Sequence, residues 1–83
     1  MENRIKELIA IGASVTANCH PCLAHHLSKA RHDGASESDI AGAIAVGKMV
    51  RKGASGKTDQ FVATVLGTSS PKENGSREDC VCR

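Results

Sequence analysis

The chain has 83 residues, of which 40% are hydrophobic and 24% charged, with a net charge of +2; this is enough for one small domain of ordinary soluble composition. Phe61 is its only aromatic residue, which excludes nucleic-acid modules built on stacking platforms, and so small a net charge does not by itself imply a nucleic-acid partner. Chains below roughly 70–80 residues seldom bury a sufficient core without a disulfide, a metal or a partner subunit, so an oligomer is expected.

The start, Met1-Glu2-Asn3-Arg4-Ile5-Lys6, mixes charges too early for a signal peptide. No apolar run approaches the roughly 20 residues that span a bilayer. The expected location is the cytoplasm, with no membrane or nucleic-acid partner. There the four cysteines serve as thiols, metal ligands or redox groups rather than as structural bridges.

The body reads as four helices. In the first, Ile5, Leu8, Ile9, Gly12 and Val15 follow the 3.6-residue period, with Lys6, Glu7 and Ser14 off that stripe. The second begins near Pro21, which suits a first helical turn. It runs through Leu23, Leu27 and Ala30 and stops at Asp33-Gly34, where glycine fits a left-handed C-cap. Ser36 to Asp39 forms a capping-box-like start for a third helix through Ile40, Ala43, Ile44, Gly47 and Val50. Lys48, Arg51 and Lys52 fill its last turn and Gly53 ends it. Ser55 or Gly56 opens the fourth, with Phe61, Val62, Val65 and Leu66 as its core face.

No segment alternates with period two, so the fold is read as all-α, a compact bundle of about four helices. Gly12, Gly42 and Gly47 would let helix axes come close. From residue 68 the chain is polar, with Pro71 and Gly75 and no apolar spacing. Such a segment cannot bury enough surface to offset its ordering entropy. The division is therefore a helical domain over 1–67 and a flexible tail over 68–83, ending in Cys80-Val81-Cys82-Arg83.

The chemistry lies in Cys19-His20-Pro21-Cys22, followed by Leu23-Ala24-His25-His26. Positions three apart share a helix face, so both sulfurs can reach disulfide geometry within one turn. A helix N-terminus favours thiolate over thiol, which makes the pair a candidate reversible dithiol. His26, one turn beyond Cys22, can hold the proton that a thiolate or leaving group needs. Glu7 joins the set if the first two helices form an antiparallel hairpin turning near residues 17–20. It then lies about 15 Å back from the turn and His26 about 9 Å forward. The mismatch of about one turn is partly absorbed by helix tilt and the Glu side chain. Glu7 could orient His26 or exchange a proton with it, as in a nucleophile–base–orienter triad.

The spacing of Glu7, Cys19, Cys22 and His26, E-x11-C-x2-C-x3-H, resembles the AhpD-like alkylhydroperoxidase branch of the carboxymuconolactone decarboxylase family. So does the stretch from Asp33 through Val46, and the likeness covers roughly residues 2 to 66. The resemblance implies an all-helical trimer or hexamer. It implies that Cys22 attacks the peroxide, that Cys19 resolves the sulfenic acid into a disulfide, and that Glu7 and His26 relay protons. A dithiol donor, lipoyl-bearing or thioredoxin-like, would reduce the disulfide, with no bound cofactor. Pro21 stands where well-known peroxidase members carry a histidine, so two activities stay open: reduction of hydroperoxides, and reduction of protein or small-molecule disulfides. The retained cysteine pair argues against a decarboxylase or lactone-ring activity. Cys-x-Pro-Cys is also the arrangement of thioredoxin-type motifs, where the first cysteine attacks, although no strand–helix–strand pattern accompanies it here. Cys19 could then be the more exposed sulfur.

Other readings compete. Cys19, Cys22 and His26 could hold zinc with Cys80, Cys82 or His25 as the fourth ligand; an iron–sulfur site using all four cysteines is a remoter case. The chain could instead be a non-catalytic oligomeric interaction module. Cys80 and Cys82 could pass electrons to Cys19 and Cys22 by thiol–disulfide exchange, or be inert terminal thiols.

Overall fold

The computed structural model describes residues 1–67. Among these the chain is helical, with no strand: α1 is Asn3–Thr16, α2 is His20–His32 and α3 is Glu37–Leu66. The chain forms two compact units, one of Met1–Lys48 and a second beginning at Met49.

In the first unit local signals set the helix ends. α2 stops where Gly34 takes a left-handed φ of 91°. Gly34 N–H then donates to Arg31 O (3.1 Å) and Ala35 N–H to Ala30 O (2.9 Å), the paired bonds of a Schellman motif, with Ala35 packed back on the core. Ser36 Oγ accepts from Asp39 N–H at 3.0 Å, satisfying one of the free donors at the start of α3. Across this turn the Arg31 guanidinium makes a two-pronged contact with Glu37 (2.8 and 3.1 Å). The hydrogen bond from Arg31 holds the Glu37 carboxyl below its ordinary value. That contribution is present above the ordinary carboxylate range and is lost as pH falls and Glu37 is protonated; both groups lie open to water, so it is small.

The core is narrow. Ile11, Ala30 and Ile40 are its buried centre, with Leu8, Leu23, Leu27, Ala35, Ala43 and Ile44 packed around them. On α1 the buried face differs from the one the apolar period predicts. Glu7, Ile11, Ser14 and Val15 are buried, while Ile5 and Ile9 are exposed. The helix is rolled so that the Glu7 carboxylate faces inward.

α1 and α3 touch backbone to backbone at glycines. A Cβ on Gly47 would lie 2.5 Å from Gly12 O and 2.9 Å from Val15 Cβ, and one on Gly12 would lie 3.3 Å from Ala43 O. Thr16 Oγ1 donates to both Gly12 O and Gly47 O at 3.0 Å. Gly42, expected to share this role, faces open space.

The expected third and fourth helices are one element, α3. Gly53 does not end it, because the left-handed glycines are Gly34 and Gly67, and without a left-handed residue or a proline the helix has no stop. An interior glycine costs only about 1 kcal/mol relative to alanine, too little to break it. In the second unit Phe61, Val62, Val65 and Leu66 are exposed, so Phe61, expected in the core, packs into none among the described residues. No described helix is long and apolar enough to cross a membrane.

The helix contact yields a stability test. Gly47→Ala should lower stability by about 1–3 kcal/mol through overpacking, whereas Gly42→Ala should raise it by up to about 1 kcal/mol through helix propensity. Thermal denaturation of the two variants beside wild type reads both signs.

Candidate redox-active site

The site grows out of the α1–α2 turn. Asn18 adopts a left-handed φ of 57°, a conformation asparagine tolerates better than most residues. Asn18 N–H donates to Val15 O (3.1 Å) and Cys19 N–H to Ser14 O (3.0 Å), so α1 ends in a second Schellman motif. Cys19 thus terminates α1 and is also the N-cap of α2, where its sulfur accepts from Cys22 N–H at 3.3 Å. Pro21 sits in the first turn of α2, where its missing N–H costs nothing. Within this turn Cys19 and Cys22 are joined by a disulfide, their Cα atoms 5.3 Å apart. Cys22 is exposed and Cys19 half-buried, the reverse of the thioredoxin-type expectation.

One turn further along α2, His26 Nδ1 meets Glu7 Oε1 at 2.6 Å. The hairpin therefore brings together the two residues whose positions along their helices had left a one-turn mismatch. Glu7 is only 4% exposed, and the His26 side chain is 29% exposed. A buried carboxylate is costly unless paired and hydrogen-bonded, and His26 supplies that partner. A Glu7 carboxylate can only accept in this hydrogen bond, which makes Nδ1 the donor. In the neutral imidazole Nδ1 then carries the hydrogen and Nε2 holds the free lone pair, leaving a basic nitrogen available for proton transfer.

The remaining histidines take no part in this hydrogen bond. His25 is exposed and packs edge-on against the His26 ring, with centroids 4.9 Å apart. His20 is the first residue of α2 and is exposed, and His32 lies in its last turn. Among the described residues no group of three or more His, Cys, Asp and Glu side chains is arranged to hold a metal ion. Cys80 and Cys82, considered as a redox relay or as zinc ligands, lie outside the described residues. The residue that sequence reasoning passed over is Asn18. Its signal was an asparagine just after the last periodic position of α1, a recognised helix-stop pattern.

Asn18→Gly, which takes up the left-handed conformation without strain, should cost less stability than Asn18→Val. Asn18→Val, forcing a β-branched residue into the left-handed region, should cost roughly 1–3 kcal/mol. Denaturant unfolding of the oxidised proteins measures both; equal loss in the two variants would show that the side chain, not the backbone conformation, matters.

The family model described as "Carboxymuconolactone decarboxylase family" matches residues 2–63. No curated protein and no solved structure gives a match. The matched span takes in α1, the Asn18 turn, the Cys19–Cys22 bridge and the Glu7–His26 pair, and on that match the chain belongs to the carboxymuconolactone decarboxylase family.

Proposed function

We propose that this chain is a thiol–disulfide oxidoreductase of the AhpD-like type, which uses the Cys19–Cys22 dithiol to reduce hydroperoxides or disulfides with electrons from a dithiol donor. The observation that carries the reading is the bridged pair at the head of α2 with the buried Glu7–His26 contact one turn away. A sulfur pair within bonding reach supplies two electrons. A histidine held at Nδ1 by a carboxylate supplies the proton traffic that each step requires.

With a hydroperoxide, the Cys22 thiolate attacks one oxygen and the O–O bond breaks. The displaced alkoxide takes a proton by way of His26 and leaves as the alcohol, and Cys22 becomes a sulfenic acid. Cys19 attacks that sulfur, water departs and the disulfide forms. With a disulfide substrate, the Cys22 thiolate bonds to one sulfur, the S–S bond breaks and the other sulfur departs as a thiolate; Cys19, deprotonated, then attacks Cys22 Sγ, releases the remaining substrate thiolate and closes the Cys19–Cys22 disulfide. The exposure of Cys22 supports its role as the attacking sulfur in both. The donor is a dithiol, lipoyl-bearing or thioredoxin-like, and no bound cofactor enters the scheme. Exposed Val46, Met49, Val50, Phe61 and Leu66 support assembly with further copies of the chain, a trimer or hexamer in this reading.

Cys22→Ser should abolish peroxide- and disulfide-dependent turnover. His26→Gln should slow it roughly 10²- to 10⁴-fold, the usual worth of a positioned acid–base group. Glu7→Gln, which keeps the shape and loses the charge, should slow it by a smaller factor. Donor oxidation assayed with a small alkyl hydroperoxide and with a model disulfide reads all three. Full activity in the His26 variant would remove the proton relay.

A further inference from the structure

We propose that Cys22 is the only covalent port of the site: the donor's thiolate also enters at Cys22 Sγ and expels Cys19, which never bonds to a partner. This rests on the redox reading above and adds the route by which the disulfide is reopened.

Two features of the α1–α2 turn point to it. The first is access. Thiolate attack on a disulfide runs in line with the S–S bond, from the far side of the sulfur attacked. Cys22 is exposed, whereas Cys19 is half-buried and pinned in the turn, its N–H on Ser14 O and its O accepting from Leu23 N–H, both at 3.0 Å.

The second is the leaving group. Exchange is faster when the departing sulfur is the better thiolate. Cys19 Sγ already accepts the Cys22 backbone N–H, so on expulsion it becomes an anion at the N-cap of α2. Hydrogen bonding to the charged form and the helix dipole both favour it there. Expelling Cys22 instead would leave the Cys19 cap sulfur bonded to the donor. The approach is also open to an anion: α2 contains four histidines, Lys29 and Arg31 and no acidic residue, and the nearby Glu7 carboxylate is buried on His26.

The step balances simply. The donor thiolate forms a bond to Cys22 Sγ, the Cys22–Cys19 bond breaks, and its electron pair leaves with Cys19. The donor's second thiol, deprotonated, then attacks the donor sulfur and releases Cys22 as thiolate. The chain gains two electrons and the donor leaves as a disulfide.

The test uses the oxidised wild-type protein and 2-mercaptoethanol, a monothiol that cannot complete the second displacement within the same molecule. Samples are quenched with acidic N-ethylmaleimide from milliseconds to seconds, and the adducts are located by fragmentation of the peptide spanning Cys19–Cys22. The expected early product carries mercaptoethanol on Cys22 and maleimide on Cys19, at least tenfold over the reverse isomer. Equal amounts, or a majority on Cys19, would overturn the single-port assignment while leaving the redox reading intact. A chain with no Cys19–Cys22 disulfide to open, or one that excess monothiol never opens, would sink the redox reading and this assignment with it.

Discussion

Cys19 belongs to two helices at once, and the geometry of the site depends on that double membership. Its N–H closes the last turn of α1 on Ser14 O, and its sulfur caps the first turn of α2. A residue tied at both ends has little freedom to drift, so the distance to Cys22 is fixed by backbone hydrogen bonds rather than by packing. The Cα separation of 5.3 Å lies within the usual disulfide range of about 4.4–6.8 Å. In a longer or looser turn the same two cysteines would have to find each other by chance. What permits the short turn is the left-handed backbone of Asn18, which reverses the chain immediately after α1.

The Glu7–His26 contact performs the matching task further down the hairpin. Removing one partner of a buried hydrogen bond typically costs about 1–3 kcal/mol, because the other is left unsatisfied. A slip of α2 by one turn against α1 would do the same without any mutation. The contact therefore pins the register of the two helices, and it does so with groups that can also move a proton. It further explains the rolled orientation of α1: burying Glu7 together with Ile11 and Val15 leaves Ile5 and Ile9 outside. Part of the apolar stripe is given up so that a carboxylate can face a histidine.

The readable part of the sequence was its local punctuation. Gly34, Ser36 and Pro21 each sit where their backbone chemistry predicts. The spacing of Glu7, Cys19, Cys22 and His26 carried the family resemblance, and the hairpin brings Glu7 to His26. Apolar periodicity was a poorer guide. It sees Ile5, Leu8 and Ile9 but not that a buried carboxylate hydrogen-bonded to a histidine can decide which way a helix rolls. It also could not distinguish a glycine that ends a helix from one that is merely carried inside it. Gly53 and Gly67 look alike as letters, and only Gly67 turns left-handed. Phe61 illustrates a different gap: an apolar face at helical spacing shows that something should cover it, not what does.

The Cys-x-Pro-Cys string shows how little a short motif fixes on its own. In thioredoxin-type motifs the first cysteine attacks. Here the same letters occur at the head of a helix, yet the exposures run the other way. The difference comes from what precedes the motif. When the first cysteine is also the last hydrogen-bonded residue of an incoming helix, its backbone is tied down and its sulfur is turned to the cap. Cys22, three residues on, is left as the exposed residue of the pair. Which cysteine is left the more exposed is thus decided less by the four residues of the motif than by the asparagine turn that delivers the chain to them.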